Sequence, residues 1–409
     1  MKVLIVGKGG REHAILWKIK QSPLVDKIYV TQGNAGMCEE AECLDIPPDD
    51  IEKILKFAKE VDVVIVGPED PLAKGIINEL PKGKGFGPVK EAATIESDKA
   101  FAKELCKKLN IPIPEFKTFT NYDDAIKYID EIKTPIVIKA AGLAAGKGSF
   151  IVKDKEEAKK KIKELMVDKV LGKSGEKVVI EEYLEGYEAS FFCFTDGKDF
   201  VMLPTAQDYK RLYDGDEGPN TGGMGSISPA PHLKNPEEII EKIAEPVIWG
   251  LKKEGAVYKG ILYVGLMITE EGPKVLEFNC RFGDPETQAI LPLVESDIMP
   301  AILATIEERL KEINLKFKDE KSVCVVAASG GYPGKYEKGF EIEGLNDVKD
   351  AIVFHAGTKK EGDKVLTAGG RVLSVVAIDK DFEKAREKAY REISKIKFEK
   401  MHYRKDIAL

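Results

Sequence analysis

The sequence predicts a multidomain protein of mixed class, α/β and α+β: a parallel-sheet unit at the amino end, a middle region with a glycine-rich loop between strands, and a mixed unit at the carboxyl end. Three observations predict it. The chain has 409 residues, more than one hydrophobic core ordinarily serves. Residues 1–100 alternate apolar runs with helical periodicity, the pattern of a parallel sheet covered by helices. From about residue 97 that alternation gives way to hairpins and longer loops.

Val3–Val6 reads as a buried parallel strand and Arg11–Lys20 as a helix stopped before Pro23. Lys27–Val30 is a second strand. Ile51, Ile54, Leu55 and Ala58 fall at helical spacing, and Val61–Val66 is a further strand ending at Gly67-Pro68-Glu69-Asp70. The loops Gly7–Glu12, Gln32–Met37 and Gly67–Asp70 then lie at the carboxyl ends of strands, where such sheets bind ligands. A dinucleotide does not fit. The fingerprint needs a third glycine where Glu12 stands, and the second strand ends in Thr31-Gln32 rather than in an acid for the ribose. A glycine turn leading to Arg11 still suits one phosphate at a helix start.

Ser97 is placed to cap a helix carrying Phe101, Leu105 and Leu109 on one face. Ile111–Pro114 is an extended connector, succeeded by a helix over Tyr122–Ile132, a strand over Pro135–Lys139 and a small-residue loop over Ala141–Ser149. Strand resumes at Phe150–Val152, and Asp154–Met166 is a charged helix. Val178–Tyr183, Ala189–Thr195 and Asp199–Pro204 read as strands. Residues 207–230 are expected to be irregular, being rich in Gly, Pro, Asp and Thr, and long loops of this kind are commonly functional. Glu237–Glu254 is helical, Gly260–Thr269 and Lys274–Asn279 are strands, and Asp297–Lys311 is helical. The last third has strands at Ser322–Ala328 and Arg371–Ile378 and a helix at Phe382–Lys395.

Composition bounds the function classes. With 43% hydrophobic and 33% charged residues the chain is neither disordered nor membranous. No apolar run approaches the roughly 20 residues of a transmembrane helix. The run Lys2–Val6 reads as a strand rather than a signal peptide. A net charge of −7 argues against nucleic acid as partner. The cysteines at 38, 43, 106, 193, 280 and 324 form no C-x-x-C pair, so reduced, mostly buried thiols of a cytoplasmic protein are expected.

The most informative stretch is Lys274–Asn279 together with residues 281–288. Period-two alternation puts Val275, Glu277 and Asn279 on one face, and Leu276 and Phe278 on the other. A carboxylate and an amide oxygen on a rigid strand make a hard-oxygen ledge suited to Mg²⁺ bound to phosphates. The bland alternative is an edge strand with two solvated polar residues. Arg281 and the turn Gly283-Asp284-Pro285-Glu286 weigh against it, because they crowd a cation and two carboxylates beside the ledge.

Arg281-Phe282-Gly283-Asp284-Pro285-Glu286-Thr287-Gln288 resembles the signature of the glycinamide ribonucleotide synthetase (phosphoribosylamine–glycine ligase) family of the ATP-grasp superfamily. Other stretches resemble the same family: Gly7–His13, Gly33–Gly36, Gly67–Glu69, Gly142–Gly148, Pro219–Gly225, His355–Thr358 and Thr367–Arg371. The resemblance implies a sugar-phosphate domain over 1–100, an ATP-grasp domain over 101–310 with a mobile lid at about 117–190, and a C-terminal domain over 311–409. It also implies a cytoplasmic enzyme of purine biosynthesis, a monomer or weak homodimer. Its partners would be glycine, 5-phosphoribosylamine and ATP, with no nucleic acid and no membrane, and its cofactor Mg²⁺ or Mn²⁺.

The same resemblance implies residue roles. Glu277 and Asn279 would hold the metal, and Arg281 would stabilise the transferring phosphoryl group. Lys139 and the loop residues Gly146, Lys147 and Gly148 would grip the ATP phosphates, and Lys99 would contact the nucleotide. Glu181, Glu182, Tyr183 and Leu184 would read the adenine, and Glu188 the ribose. Gly9, Gly10, Arg11, Glu12, Asn34, Gly36 and Glu69 would bind the sugar phosphate. Asp208, Lys210 and Arg211, with Thr221–Gly225 and so Gly223, would close over glycine and phosphate, and Asp284, Pro285 and Glu286 would bind substrate. Three positions depart from the family pattern: Ala141 where an aspartate is common, Tyr209 where histidine is, and Lys8 in place of a small residue. Two other readings share part of this set: a ligase of the superfamily acting on another acid, and a non-catalytic nucleotide-binding regulator.

Overall fold

The computed structural model describes residues 1–144 and 146–409; Ala145, in the expected phosphate loop, lies outside the described residues. Five parallel strands form the first sheet, in the order Glu42–Leu44, Lys27–Thr31, Lys2–Val6, Val63–Val66, Gly85–Phe86. Strands covered on both faces need apolar residues throughout, and Val3, Leu4, Ile5 and Val6 are all fully buried. Their alternate side chains serve two cores. Val3 and Ile5 join Ile15, Leu16 and Ile19 of the helix Gly10–Ile19, whereas Leu4 and Val6 join Ile54 and Leu72 on the other face.

A second, antiparallel sheet runs Phe116–Phe119, Val178–Glu182, Ile136–Ala140, Ser149–Val152. Helices Tyr122–Glu131 and Lys155–Met166 supply Ile129, Ile162 and Leu165 to its separate core. A third sheet, also antiparallel, runs Phe200–Met202, Tyr187–Thr195, Gly260–Thr269, Gly272–Asn279. The helix expected under a Ser97 cap begins differently. Ser97 ends the helix Lys90–Ser97, and Asp98 caps Lys99–Lys108, accepting from Ala100 N and Phe101 N at 3.0 and 3.2 Å. A carboxylate there also faces the positive end of the helix dipole.

The stretch 207–230 is less irregular than its composition suggests. It holds four short strands, and Gly225–Ser228 is fully buried between Gln207–Asp208 and Lys321–Ser329. Polar residues are tolerated inside because Ser226 and Ser228 donate to Gln207 O and Thr205 O, which satisfies their hydroxyls. Gly225 is needed because a Cβ there would lie 2.7 Å from Cys324 O. This sheet continues through Arg371–Asp379 to Ile352–His355 and is covered by the helix Phe382–Ile393. No helix among the described residues is long and apolar enough to cross a membrane.

The expectation of six free thiols needs correction. Cys38 and Cys43 are joined in a disulfide, because the short strand Glu42–Leu44 returns beside the Gly33 turn; Cys106, Cys193, Cys280 and Cys324 are buried thiols.

The first and last sheets meet at two histidines. His355 N donates to His13 Nδ1 at 2.8 Å, and His13 Nε2 lies 3.3 Å from Glu40 Oε1. Burial, with the neighbouring His13, pushes the His355 imidazole down to about 3.

Asp98→Ala should cost about 1 kcal/mol of local helix stability, seen as faster amide exchange over 99–108, while Ser97→Ala leaves it unchanged. Below pH 6.5 the unfolded chain protonates residue 355 and the native chain does not until about pH 3, so stability falls on acidification through that window. The thermal midpoint of His355→Gln should depend less steeply on pH there than that of the parent.

Candidate active site

The three sheets and the last third of the chain converge on one cavity of about 630 Å³. Its central feature is the end of the strand Gly272–Asn279, and the alternation there differs from simple period two. The register against the neighbouring strand shifts between Gly265 and Leu266, so that Gly265 faces Glu277 while Leu266 faces Val275. Leu276 is the extra residue of a β-bulge. Val275 therefore packs in the apolar core with Phe278, and not on the face of Glu277 as expected. Glu277 and Asn279 still line the cavity together.

Charge around this ledge is dense and paired. Lys139 Nζ reaches Glu181 Oε2 at 2.9 Å and Leu276 O at 3.0 Å. Lys103, which sequence reasoning missed, donates to Val275 O at 3.2 Å. Its Nζ also stands 3.2 Å from Glu181 Oε1, an ion-pair contact out of line for a hydrogen bond. Burial lowers the Lys103 ammonium to about 8 against the pull of Glu181. The carboxylate of Glu181 is thus held by two lysines. The signal for Lys103 was a lysine between Ala102 and Leu105 on the buried side of its helix. Lys99 donates to Gly142 O at 2.9 Å, and burial lowers its ammonium. Burial alone would raise the Glu277 carboxyl, but Lys210, Lys139 and Lys99 hold it below its ordinary value. Lys210 Nζ lies 2.8 Å from Glu188 Oε2 and 3.9 Å from Glu277 Oε1.

Arg281 is gripped on two sides: Nε lies 3.2 Å from Glu69 Oε2 and Nη2 lies 2.9 Å from Glu96 Oε1. Burial would raise the Glu69 carboxyl, but Arg281 and Arg11 draw it down to about 2. Glu96 was also missed. It sits at the end of an amphipathic helix, 6% exposed, and accepts from Cys280 N at 2.7 Å. A carboxylate in that position fixes both the arginine and the backbone just beyond the ledge.

The glycine turn of the first sheet is more structural than expected. Gly9 N donates to Glu12 Oε2 at 2.7 Å, Arg11 Nε reaches Glu12 Oε1 at 2.6 Å, and Glu12 is 2% exposed. Its carboxylate fills the turn, so that a Cβ at Gly67 would lie 2.1 Å from Glu12 Oε1. Gly10 is bounded by Gln288, with a virtual Cβ 2.5 Å from its Nε2. Asn34 spends its amide on Lys8 O and His355 O at 2.9 and 2.8 Å, and its Oδ1 accepts from Met37 N. Gly36 admits the rings of His13 and His355, which a Cβ would meet at 2.5 and 2.6 Å. Arg11 N points at Asp284 Oδ2 at 3.3 Å, so a carboxylate occupies the anion position at this helix start. Burial would raise the Asp284 carboxyl, but Arg371 and Arg11 hold it low; Arg371, also missed, lies 3.3 Å from Asp284 Oδ1.

Arg11, Glu69, Gly146, Gly148, Glu182, Tyr183, Leu184, Asp208, Arg211 and Glu286 line the same cavity. Asp208 Oδ1 is buried without a hydrogen-bond partner among the described residues; burial and the nearby Glu286 raise its carboxyl well above the ordinary range. Gly223, with φ +110°, lets Pro285 and Asp208 approach to 2.4 and 2.6 Å of a virtual Cβ. Lys147 is not brought in. Its Nζ donates to Pro333 O at 3.1 Å and faces a second cavity of about 750 Å³. Lys8 donates to Gln32 Oε1, and Ala141 is buried.

Among the described residues, no group of three or more His, Cys, Asp or Glu side chains is arranged to hold a metal ion. Glu277 and Asn279 are two hard donors, a set that oxygens of water and of a ligand such as a phosphate would complete.

The N, ATP-grasp (A) and C domains of the phosphoribosylglycinamide synthetase family match residues 1–96, 97–287 and 322–409. The phosphoribosylamine–glycine ligase of Caldanaerobacter subterraneus is 56% identical, covering 100% of this chain and 99% of that protein. The human trifunctional purine biosynthetic protein adenosine-3 is 46% identical over 99% of this chain and 41% of its own length. The crystal structure of phosphoribosylamine–glycine ligase from Thermotoga maritima superposes with a TM-score of 0.88 at 36% identity, covering 100% of both chains. The biotin carboxylase domain of Hydrogenobacter thermophilus 2-oxoglutarate carboxylase, solved with MgADP and bicarbonate, shares the fold. Its TM-score is 0.74 at 16% identity, covering 98% of this chain and 91% of that one. With three domain matches in order and full-length relatives at this identity, the chain belongs to the phosphoribosylglycinamide synthetase family of ATP-grasp ligases, which form a carbon–nitrogen bond.

Proposed function

We propose that the chain joins glycine to 5-phosphoribosylamine with ATP, yielding glycinamide ribonucleotide, ADP and phosphate, in units spanning 1–100, 101–310 and 311–409. The ledge carries the reading: Glu277 and Asn279 end one strand, and Arg281 follows it, in a cavity that also contains Lys139, Glu69 and Arg11. The donor chemistry of Glu277 and Asn279 fits Mg²⁺ or Mn²⁺, which when bound would neutralise charge on the β- and γ-phosphate oxygens.

Lys139 and Lys99 set a positive field for the triphosphate, and Glu181 with Lys103 fixes the direction of Lys139. The segment Glu182–Leu184 borders the adenine and Glu188 the ribose, while Gly146 and Gly148 offer backbone N–H groups over the phosphates. The glycine carboxylate attacks the γ-phosphorus, the bond to the β,γ-bridging oxygen breaks, and glycyl phosphate and ADP result. The amine of phosphoribosylamine then attacks the acyl carbon, phosphate leaves, and the nitrogen gives up a proton. Both steps rest on positioning and electrostatics. Arg281, oriented beforehand by Glu69 and Glu96, meets the charge on the transferring phosphoryl group at little reorganisation cost.

Gly10 and Arg11 offer the helix-start N–H groups to the sugar phosphate, where Asp284 must yield, and Gly9, whose N–H is held by Glu12, shapes that pocket with Glu12, Asn34 and Gly36. Asp208, Lys210, Arg211, Gly223, Pro285 and Glu286 enclose glycine and the leaving phosphate. We place the enzyme in the cytoplasm as a monomer or weak homodimer acting on small molecules; its net charge of −7 supports the last point against nucleic acid.

Sustained ADP release should require glycine and phosphoribosylamine together; sustained release with phosphoribosylamine alone, or with another acid in place of glycine, would refute this substrate pair. Glu277→Ala should lower turnover at least ~100-fold with an unchanged circular dichroism spectrum, and parent-like turnover would remove the ledge from the mechanism.

A further inference from the structure

The carboxyl-terminal segment 401–409 lies far from the ledge in sequence, yet it clasps the hairpin that carries Lys210. Arg404 is 1% exposed, an unusual place for a guanidinium. Its Nη1 donates to Arg211 O at 3.2 Å and to Asp216 Oδ1 at 2.7 Å, and its Nη2 to Asp406 Oδ2 at 2.7 Å. Around it the contacts continue. His402 Nε2 lies 2.9 Å from Leu212 O, Lys405 N donates to Asp214 Oδ1 at 2.7 Å, and Gly215 N donates to Asp406 Oδ2 at 2.8 Å. Tyr209 is held from both sides, its ring 5.2 Å from the Arg404 guanidinium and its hydroxyl accepting from Ala408 N at 3.1 Å. The tyrosine that departs from the family pattern is thus an anchor for the tail.

We propose that Arg404 is a positioning residue for the ligation, acting through the 209–216 segment on Lys210. The proposal rests on the reading of Lys210 as part of the active site. Lys210 is flanked by Tyr209 and Arg211, both bound by the tail, and its own carbonyl accepts from Thr221 N at 2.8 Å. With the chain fixed on both sides, the ammonium is delivered to Glu188 and stands 3.9 Å from Glu277. A buried guanidinium must be fully paired, and removing a partner is costly. The pairing of Arg404 with Asp216 and Arg211 O therefore resists displacement of the hairpin. Other anchors of the tail include Tyr390 OH, which donates to Arg404 O at 2.7 Å, Arg386 Nε, which donates to Ile407 O at 3.1 Å, and the pairing of Met401 and His402 with Ser329 and Ala328.

The test is a double-mutant cycle in the full-length enzyme with saturating magnesium. Arg404→Lys keeps a cation but loses the fork. Asp216→Asn, on an exposed side chain at φ +55°, keeps a residue type that tolerates this backbone, so folding is preserved if Arg404→Lys fails to fold. Each should lower kcat/KM for glycine about tenfold in the parent and add no further loss in a Lys210→Ala background. If Lys210→Ala has no measurable turnover, the same cycle is read in the Kd for MgADP. Losses that multiply in the double variants would mark a merely structural role and overturn the proposal. Lys210→Ala with parent activity would overturn the role of Lys210 and this proposal with it. An impaired Lys210→Ala beside fully active Arg404→Lys and Asp216→Asn would overturn the tail's role alone.

Discussion

Burying charge around one strand end is the constraint on which this structure depends. Lys139 and Lys103 share the carboxylate of Glu181, and Arg281 lies between Glu69 and Glu96. Any of these groups left alone in so dry a place would cost several kcal/mol. Together they hold a strongly polar surface in place by mutual pairing. That rigidity is what phosphoryl transfer needs, because dipoles and charges set in advance do not have to reorganise as the reaction proceeds.

The same constraint explains why the elements converge as they do. The partners of Arg281 come from the start of the helix Glu69–Lys74, after the fourth strand of the parallel sheet, and from the helix Lys90–Ser97, while Arg281 itself comes just after the antiparallel strand Gly272–Asn279. The partners of Glu181 come from a helix and from a strand of the second sheet. The bulge at Leu276 lets one strand do two things. It keeps Val275 and Phe278 in the apolar core and still turns Glu277 and Asn279 to the cavity. A regular strand would expose Val275 or bury Glu277.

Several residues that look like ligand contacts have structural partners instead. Glu12 closes its own turn, Asn34 bridges Lys8 O and His355 O, and Gly36 makes room for two imidazoles. The N-terminal glycine loop is therefore built partly by the C-terminal third of the chain. Asp284 at the helix start shows that this pocket suits an anion.

By itself the sequence determined the class of each region, the order of most strands and helices, and the chemistry of the 277–288 stretch, since apolar periodicity and short contiguous motifs are local properties. The parallel sheet was legible because each of its central strands is an unbroken apolar run. What only the tertiary structure decided depends on contacts far apart in the chain. The strand Gly225–Ser228 was hidden because its serines find acceptors only once Thr205 and Gln207 lie beside them. Lys103 and Glu96 carried no motif of their own, Arg371 closed a family stretch that was given no role, and their charges acquire partners 78, 185 and 87 residues away only on folding. The Cys38–Cys43 bond and the bulge at Leu276 are likewise set by neighbouring strands, because pairing and register are decided between segments and not within one.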